Sequence, residues 1–360
     1  TSGEVITDTG VITVGGAATF VTDVNDIDIT LGSNNAITGA LTFTTQTGGS
    51  NGADITLNNG STAISLAGFT TRGNLTLETT NAIALTGHTV NGNLSVTSAG
   101  AITQSAALTV SGNSSFTSTG TDTNITLNTD TNAFTGSVTL TTAGTSGDVS
   151  IDNGTTALGI QGTINGALTV RNGQVITDSG TLTVSGASSF TIDTGSNHIT
   201  LGTAALTGAI GVSTTGTSNF TLDNTTTAVN LGTVGVTGVL SVTSGEAITD
   251  SGVITVTTTS SFTTDVNNKA ITLDSSNAMS GNITVSTLGT TGNVTIDNGT
   301  TALGIQGTVN GALDLTAGAA ITDSSTLTVS GASDFTIDNG SNHITLDSAV
   351  LTGAIGVSTT

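Results

Sequence analysis

The sequence predicts an all-β chain wound as a right-handed parallel β-helix, or β-solenoid, with coils of about 24 residues and three short strands per coil. Three observations predict this fold. Apolar and polar residues alternate with the two-residue period of a strand, as in Thr181 to Val184. Turn-forming residues separate these runs, as in Asp193 to Asn197. The repeat is too short to bury its own core, so its copies must stack.

Internal repetition occurs on two length scales. The segment Ile151 to Thr163 recurs unchanged at Ile296 to Thr308, an offset of 145 residues. An Ile-Thr-Asp or Ile-Thr-Gln tripeptide begins at residues 6, 102, 176, 248 and 321. Three of the four steps lie near 73 residues and the first is 96, so three and four coils of about 24 residues fit them. We therefore predict one continuous solenoid segment over residues 1–360, about 15 coils long, within a longer array.

Phenylalanines follow the same steps as the tripeptides. They lie at Phe20, Phe116, Phe190, Phe262 and Phe335. A large apolar residue that recurs with the repeat is typical of a core position. We predict that these rings fill the core at one corner of the cross-section.

The charge of the chain excludes two classes of partner. The formal net charge is -21, from 24 acidic residues against Arg72, Arg171 and Lys269. Nucleic acids and anionic lipid surfaces attract clustered Lys and Arg, so neither is a predicted partner. No apolar run approaches the roughly 20 residues of a membrane-spanning helix, so membrane insertion is not predicted either. Proline is absent, which suits a backbone whose N–H groups are used in strand ladders.

The acidic residues recur at turn positions instead of forming one unique group. One series is Asp8, Asp178, Asp250 and Asp323, and another is Asp23, Asp193, Asp265 and Asp338. Glycoside hydrolysis needs a placed pair of carboxylates, one of them with a raised pKa. A catalytic group of residues would interrupt the repeat, and the sequence contains no such interruption. We predict no catalytic residue, no cofactor-binding residue and no enzyme activity.

Turns and histidines are the remaining candidates for metal binding. Asp152-Asn153-Gly154 and Asp297-Asn298-Gly299 supply oxygen atoms that could hold Ca²⁺ weakly, although an Asx turn explains them equally well. His198 and His343 are equivalent residues one long repeat apart, and His88 is unrelated to them. We predict that all three histidines lie at the surface or in turns, and that the chain has no metal site beyond weak Ca²⁺ binding.

The segment Gly92 to Gln104, followed by Leu108 to Gly112, resembles the repetitive stalks of filamentous-haemagglutinin-like proteins. Asn197 to Leu201 and Gly166 to Val170 belong to the same pattern. These proteins are large bacterial exoproteins of two-partner secretion and related autotransporter adhesins. The resemblance implies a structural fibre or adhesin stalk at the bacterial cell surface, supporting adhesion, biofilm or filament formation. It also implies neighbouring coils or subunits of a filament as partners, together with a host or cell-surface receptor.

Two other functions stay open at this point. Polysaccharide-active enzymes share the β-helix fold, and flat solenoid faces rich in Thr bind ice or cations. The Thr spacing drifts along the sequence, and Asp or Asn interrupts it, which argues against an ice-binding face. The region Leu57 to Ala101 fits the repeat loosely and holds Arg72, Glu78 and His88. We interpret it as a local insertion.

Overall fold

The computed structural model describes residues 1–46, 52–340 and 342–359. The described residues form strands, bridges and turns, with no helix among them. The chain divides into two compact units, Thr1–Thr183 and Val184–Thr360. Each unit is a parallel β-solenoid, so the predicted fold class is confirmed. Coils have about 21 residues, close to the predicted 24, and the chain makes about 17 turns.

The strands of the first unit are short. They are β1 Ile6–Thr7, β2 Thr13–Val14, β3 Ala18–Asn25, β4 Ile29–Leu31, β5 Ala36–Ile37, β6 Leu41–Gln46, β7 Ile55–Asn58, β8 Thr70–Thr71, β9 Leu75–Thr79, β10 Ile83–Thr86, β11 Thr89–Val90, β12 Leu94–Ser98, β13 Ile102–Ala106, β14 Thr109–Val110, β15 Ser114–Thr121, β16 Ile125–Leu127, β17 Ala133–Phe134, β18 Ser137–Ala143, β19 Val149–Asp152, β20 Leu158–Ile164, β21 Leu168–Asn172 and β22 Ile176–Val184.

The second unit continues in the same manner. Its strands are β23 Ser188–Ile192, β24 Ile199–Leu201, β25 Ala204–Leu206, β26 Ala209–Ser213, β27 Phe220–Asp223, β28 Val229–Val236, β29 Leu240–Ser244, β30 Ile248–Asp250, β31 Ile254–Val256, β32 Ser260–Asn267, β33 Ile271–Leu273, β34 Ala278–Met279, β35 Asn282–Leu288, β36 Val294–Asp297, β37 Leu303–Val309, β38 Leu313–Ala317, β39 Ile321–Val329, β40 Ser333–Ile337, β41 Ile344–Thr345, β42 Ala349–Leu351 and β43 Ile355–Thr359.

Each unit contains two principal sheets, which we call the first and the second sheet. In the first unit, β4, β7, β9, β12, β15 and β18 belong to the first sheet, and β10, β13, β16, β19 and β21 to the second. In the second unit, β27, β29, β32, β35, β37 and β39 belong to the first sheet, and β26, β28, β30, β33, β36, β38, β40 and β43 to the second. Two-residue strands add a short third sheet in part of the first unit, in the order β17, β14, β11 and β8.

The strands form because their side chains alternate between a dry interior and solvent. In β9, Leu75 and Leu77 are fully buried, whereas Thr76 and Glu78 point outward. In-register pairing then stacks like on like, so Leu75 lies beside Leu94 in the next coil. The interior is therefore a set of aliphatic files, and burial of each Leu, Ile or Val side chain contributes on the order of 1.5–3 kcal/mol.

Each repeat of about 73 residues makes three and a half coils, not three. In the second unit, Ile248, Ile271, Val294 and Leu313 mark three complete coils on the second sheet. Ile321, the equivalent of Ile248, follows eight residues after Leu313 and lies on the first sheet. Sequence repetition cannot distinguish three coils from three and a half, which is why the predicted coil was slightly too long.

The same half coil places the repeated phenylalanines on alternate sheets. In the second unit, Phe190 and Phe335 lie on the second sheet and Phe262 lies on the first. These three rings and Phe116 are buried, as predicted, whereas Phe20 is half-buried. The prediction that they share one corner of the cross-section is wrong, because an equivalent residue returns half a coil out of phase.

The longer first step of 96 residues contains one additional complete coil. Four coils separate Ile6 from Leu94 on the first sheet, and Ile102 follows eight residues later on the second. A whole coil inserts without changing which side chains face the core.

Candidate functional surfaces

The recurrent aspartates of the Ile-Thr-Asp tripeptides hold the turn of the following coil. The Asp8 carboxylate accepts hydrogen bonds from the backbone N–H groups of Gly32 and Ser33, both at 3.0 Å, and from Nδ2 of Asn35 at 2.8 Å. Asp250 has the same set of partners one coil ahead, including Nδ2 of Asn277 at 2.7 Å. These carboxylates therefore serve as bonds between coils.

These bonds favour the ionised form of the carboxylate. Desolvation raises the pKa of Asp8, but the hydrogen bonds from Asn35, Ser33 and Gly32 outweigh it and leave the pKa below its usual value. Asp323 has a lowered pKa on the same balance, with Ser348 and Asp347 as donors. A general acid for glycoside hydrolysis needs a pKa shifted in the opposite direction.

The predicted cation turns contain a buried asparagine whose polar atoms are all engaged. Asn153 is fully buried, and its Oδ1 accepts the backbone N–H of Phe134 at 2.7 Å. Its Nδ2 donates to the carbonyls of Phe134, Thr156 and Ala157 at 3.1 Å. Asn153 thus ties its own turn to the preceding coil, and loss of its side chain would leave buried backbone groups unpaired at about 1–3 kcal/mol each.

The neighbouring residues complete this turn. The Asp152 carboxylate accepts the N–H of Gly154 at 2.8 Å. Gly154 adopts a φ of +57°, which glycine tolerates at little cost. Asp297, Asn298 and Gly299 repeat the arrangement in the second unit. The structure therefore gives these residues a role as Asx turns, and weak Ca²⁺ binding stays a prediction.

A ladder of side chains also links successive coils on the outer edge of the first sheet. The Oδ1 atom of Asn74 accepts the backbone N–H of Asn93 at 2.8 Å, and Oδ1 of Asn93 accepts the N–H of Asn113 at 2.8 Å. Each ladder residue directly precedes a strand. His198 occupies the same position in the second unit, where its Nδ1 accepts the N–H of Asn219 at 3.0 Å. The side chain of His198 therefore links one coil to the next by a hydrogen bond.

The three histidines differ in their surroundings. His198 and His343 are exposed, as predicted. His88 is buried, so its predicted surface or turn position is wrong. This burial was not predictable from the sequence, because His88 lies between Gly87 and Thr89 in a stretch that is typical of a turn. Across the described ranges, no three His, Asp or Glu side chains lie close enough together to hold a metal ion.

The basic residues are dispersed. Lys269 forms an ion pair with Glu246 across one coil. Arg171 lies 3.9 Å from the Asp152 carboxylate, measured from its Nε atom. Arg72 is exposed directly after β8. The structure gives each cation a separate location, so they form no basic patch.

Outward hydroxyl groups form two straight files on the first sheet of each unit. In the first unit one file is Thr76, Ser95, Ser115 and Thr139, and the other is Thr97, Thr117, Thr141 and Thr163. In the second unit the files are Thr221, Ser241, Ser261 and Thr284, beside Thr243, Thr263, Ser286 and Thr308. Neighbours within a file are about 4.8 Å apart, and the two files are about 6.7 Å apart along the strand.

The spacing of these residues is regular in the structure, although it drifts along the sequence. Turns absorb the differences in coil length, so strands stay in register. The second sheet differs, because Asp314 and Asp334 replace the hydroxyl residues found one repeat earlier at Ser241 and Ser261. The hydroxyl files of the first sheet, which we call the hydroxyl face, each meet a carboxylate at one end, because Glu78 lies beside Thr97 and Asp223 lies beside Thr243.

One known family of repeats matches most of the chain. The family described as "Repeats of unknown function (DUF5649)" matches residues 1–44, 72–141, 146–213, 217–286 and 291–358. The chain belongs to this family. Successive matches from residue 72 onward begin 74, 71 and 74 residues apart. Neither the curated proteins nor the solved structures contain a match. Within the described residues, no helix is both long and apolar enough to cross a membrane.

Proposed function

We propose that this member of the repeat family is a structural segment of an extracellular fibre or adhesin stalk at a bacterial cell surface. One observation carries the proposal: the polar residues that could have performed chemistry instead bond one coil to the next. The side chains of Asp8, Asn153 and His198 each accept a backbone N–H group from a neighbouring coil. Side chains used to hold coils together favour a role in length and stiffness over one in catalysis.

The resemblance to filamentous-haemagglutinin-like stalks supports the adhesin form of the proposal. Such a stalk supports adhesion, biofilm or filament formation through neighbouring coils or subunits and a receptor. Immunogold labelling with antibodies against the chain tests its location. Labelling of intact cells that produce the chain is compared with labelling of the same cells after permeabilisation. We expect labelled material outside intact cells. Labelling that requires permeabilisation would contradict an extracellular role.

The enzyme alternative has a separate test. The chain is incubated with acidic polysaccharides while unsaturated or reducing products are measured. We expect no turnover above buffer, because hydrogen bonds between coils hold the pKa of Asp8 and of Asp323 below the usual value, whereas a general acid needs a raised pKa. Sustained turnover by the purified chain would replace the stalk proposal with a β-helix enzyme.

The hydroxyl face favours a second candidate function, binding to the ordered surface of ice. Beyond the carboxylates of Glu78 and Asp223 at one end of each face, regular hydroxyl and methyl groups at two fixed spacings suit a lattice of ordered water. Thermal hysteresis of the purified chain measures this activity. Thr263→Asp should lower it by interrupting the face of the second unit, whereas Thr336→Asp, the equivalent change on the second sheet, should leave it unchanged. Absence of hysteresis in the unchanged chain rejects this function.

A further inference from the structure

His88 is a buried ionisable side chain whose ring takes no part in the hydrogen bonds between coils. Its side chain is 1% exposed, and neither ring nitrogen has a hydrogen-bond partner. The imidazole packs against Phe69 with ring centroids 4.9 Å apart. Phe69 in turn packs against Phe43, and Phe43 stacks on Phe20. His88 therefore continues a column of aromatic rings that runs through four successive coils of the first unit.

The backbone around His88 belongs to the short third sheet. β11 pairs with β8 on one side and with β14 on the other. The carbonyl of Phe69 accepts the N–H of Thr89 at 3.0 Å, and the carbonyl of His88 accepts the N–H of Thr109 at 2.9 Å. Strands of two residues form few backbone hydrogen bonds with their neighbours. Displacement of His88 would therefore break a large share of the hydrogen bonds that hold β11 to β8 and β14.

The repeat supplies a natural comparison for this position. Val90 and Val236 are equivalent inward residues, because each directly precedes the turn of its repeat, Asn-Gly in the first case and Thr-Gly in the second. The buried residue two positions earlier is His88 in the first case and Val234 in the second. Val234 is 1% exposed. The first unit thus contains an imidazole where the second unit contains an aliphatic side chain, and the position accepts valine.

Among the described residues, the three strands at this corner bring no charged side chain to His88. β8, β11 and β14 consist of Thr and Val residues, and Arg72, which follows β8, is exposed. In the part of the chain that the structure describes, the other buried ionisable side chain is Asp152, in β19 near Arg171. Desolvation accordingly lowers the pKa of His88 from 6.5 to about 4.

We propose that His88 makes the corner formed by β8, β11 and β14 an acid-sensitive point, where uptake of one proton opens the first unit locally. The opened imidazole is solvated and takes up a proton more readily than the buried one. Acidification therefore favours the open form, and its effect begins as the pH falls through the ordinary titration range of histidine. The second unit, with Val234, lacks this response.

Amide hydrogen exchange of the full chain tests the proposal, with protection corrected for the intrinsic effect of pH. Between about pH 6.5 and 4.5, protection at Thr89 and Thr109 should fall up to about a hundredfold, since each pH unit between the two pKa values changes the opening equilibrium about tenfold. Protection at Val234, whose N–H is bonded to the carbonyl of Val253, should not change. Equal loss in both units would overturn the proposal.

Two variants separate His88 from other acid effects. His88→Val, which installs the residue found at Val234, should remove the local acid response. His198→Asn, which keeps a hydrogen-bond acceptor in the ladder, should retain it. An unchanged acid response in His88→Val would overturn the proposal. Nuclear magnetic resonance of the unchanged chain adds a direct readout: the His88 ring should remain neutral at about pH 5.5, and an imidazolium ring there in the folded chain would overturn the proposal.

Discussion

At the scale of single residues, four inward serines occupy the same place in successive repeats. They are Ser114, Ser188, Ser260 and Ser333, and each lies two residues before a buried phenylalanine on the same strand. A small side chain at this place leaves room for the neighbouring ring. None of the four hydroxyls has a hydrogen-bond partner, and in the first repeat the position is Ala18. Residue type alone would place Ser outward, and it is the two-residue period from the following phenylalanine that places these serines on the inner face.

Replacement of one of these serines tests the cost of its unpaired hydroxyl. Ser260→Ala should raise the free energy of unfolding by about 1 kcal/mol, because it removes a buried polar group with no partner and keeps the volume small. Urea unfolding followed by circular dichroism measures the change. Ser261→Ala, on the outward face of the same strand, serves as control and should change stability by less than about 0.5 kcal/mol. Destabilisation by Ser260→Ala would indicate that the hydroxyl has a bound partner.

Asp122 and Asn268 form a natural pair that differs only in ionisation. Both have positive φ values, and both accept two backbone N–H groups from the next coil, those of Thr145 and Ser146 in the case of Asp122. The bonds from Thr145 and then Ser146 lower the pKa of Asp122 below its ordinary 3.8. Ionised Asp122 therefore stabilises the fold above that value, and this contribution is lost as pH falls through the lowered pKa.

Exchange of the two residue types tests this assignment. Asp122→Asn should make thermal unfolding less sensitive to acid between about pH 5 and 2, because the amide oxygen still accepts both bonds and does not protonate there. Asn268→Asp should increase the sensitivity. Scanning calorimetry at several pH values compares both with the unchanged chain. Identical acid sensitivity in all three proteins would show that the carboxylate contributes nothing through these bonds.

At the scale of elements, the alternating pattern was sufficient to predict strands and their inward residues. Leu75 and Leu77 are buried and Thr76 points outward, as the two-residue period requires. The path between strands was less predictable. Ile248 and Ile321 are equivalent in sequence but lie on different sheets, and only the register of the stacked coils shows the additional half coil. The function of Asn153 and of the ladder also required coordinates, because both act between residues about 20 positions apart.

Asp314 and Asp334 provide a prediction about strand pairing. They are direct neighbours on β38 and β40, and like charges in this relation are destabilising. The positions one long repeat earlier are Thr169 and Ser189. Asp314→Thr should therefore stabilise the chain by about 0.2–1 kcal/mol, with a larger effect at low salt. Thermal unfolding at two salt concentrations measures this, and equal gains at both would argue against charge repulsion as the cause.

At the scale of the whole molecule, the dominant quantity is the net charge of -21. Self-repulsion of this charge opposes the compact state, and dissolved ions screen it over about 10 Å at 0.1 M. The melting temperature should therefore rise by several degrees between about 0.01 and 0.3 M sodium chloride. Calorimetry at neutral pH measures the rise. A melting temperature that falls over this range would mean that favourable ion pairs such as Lys269 with Glu246 outweigh the repulsion.

The half coil in each repeat also governs how such a gene can lengthen without losing the difference between its two faces. Copying one repeat transfers its residues to the opposite sheet, so mutations that suit one side arrive on the other. Copying two repeats restores the side, and the 145-residue offset is a copy of this kind: Val149 and Val294 both lie on a second sheet. A duplicated residue therefore stays on its original sheet only when an even number of repeats is copied. An array that must keep a distinct hydroxyl face is expected to grow by even numbers of repeats.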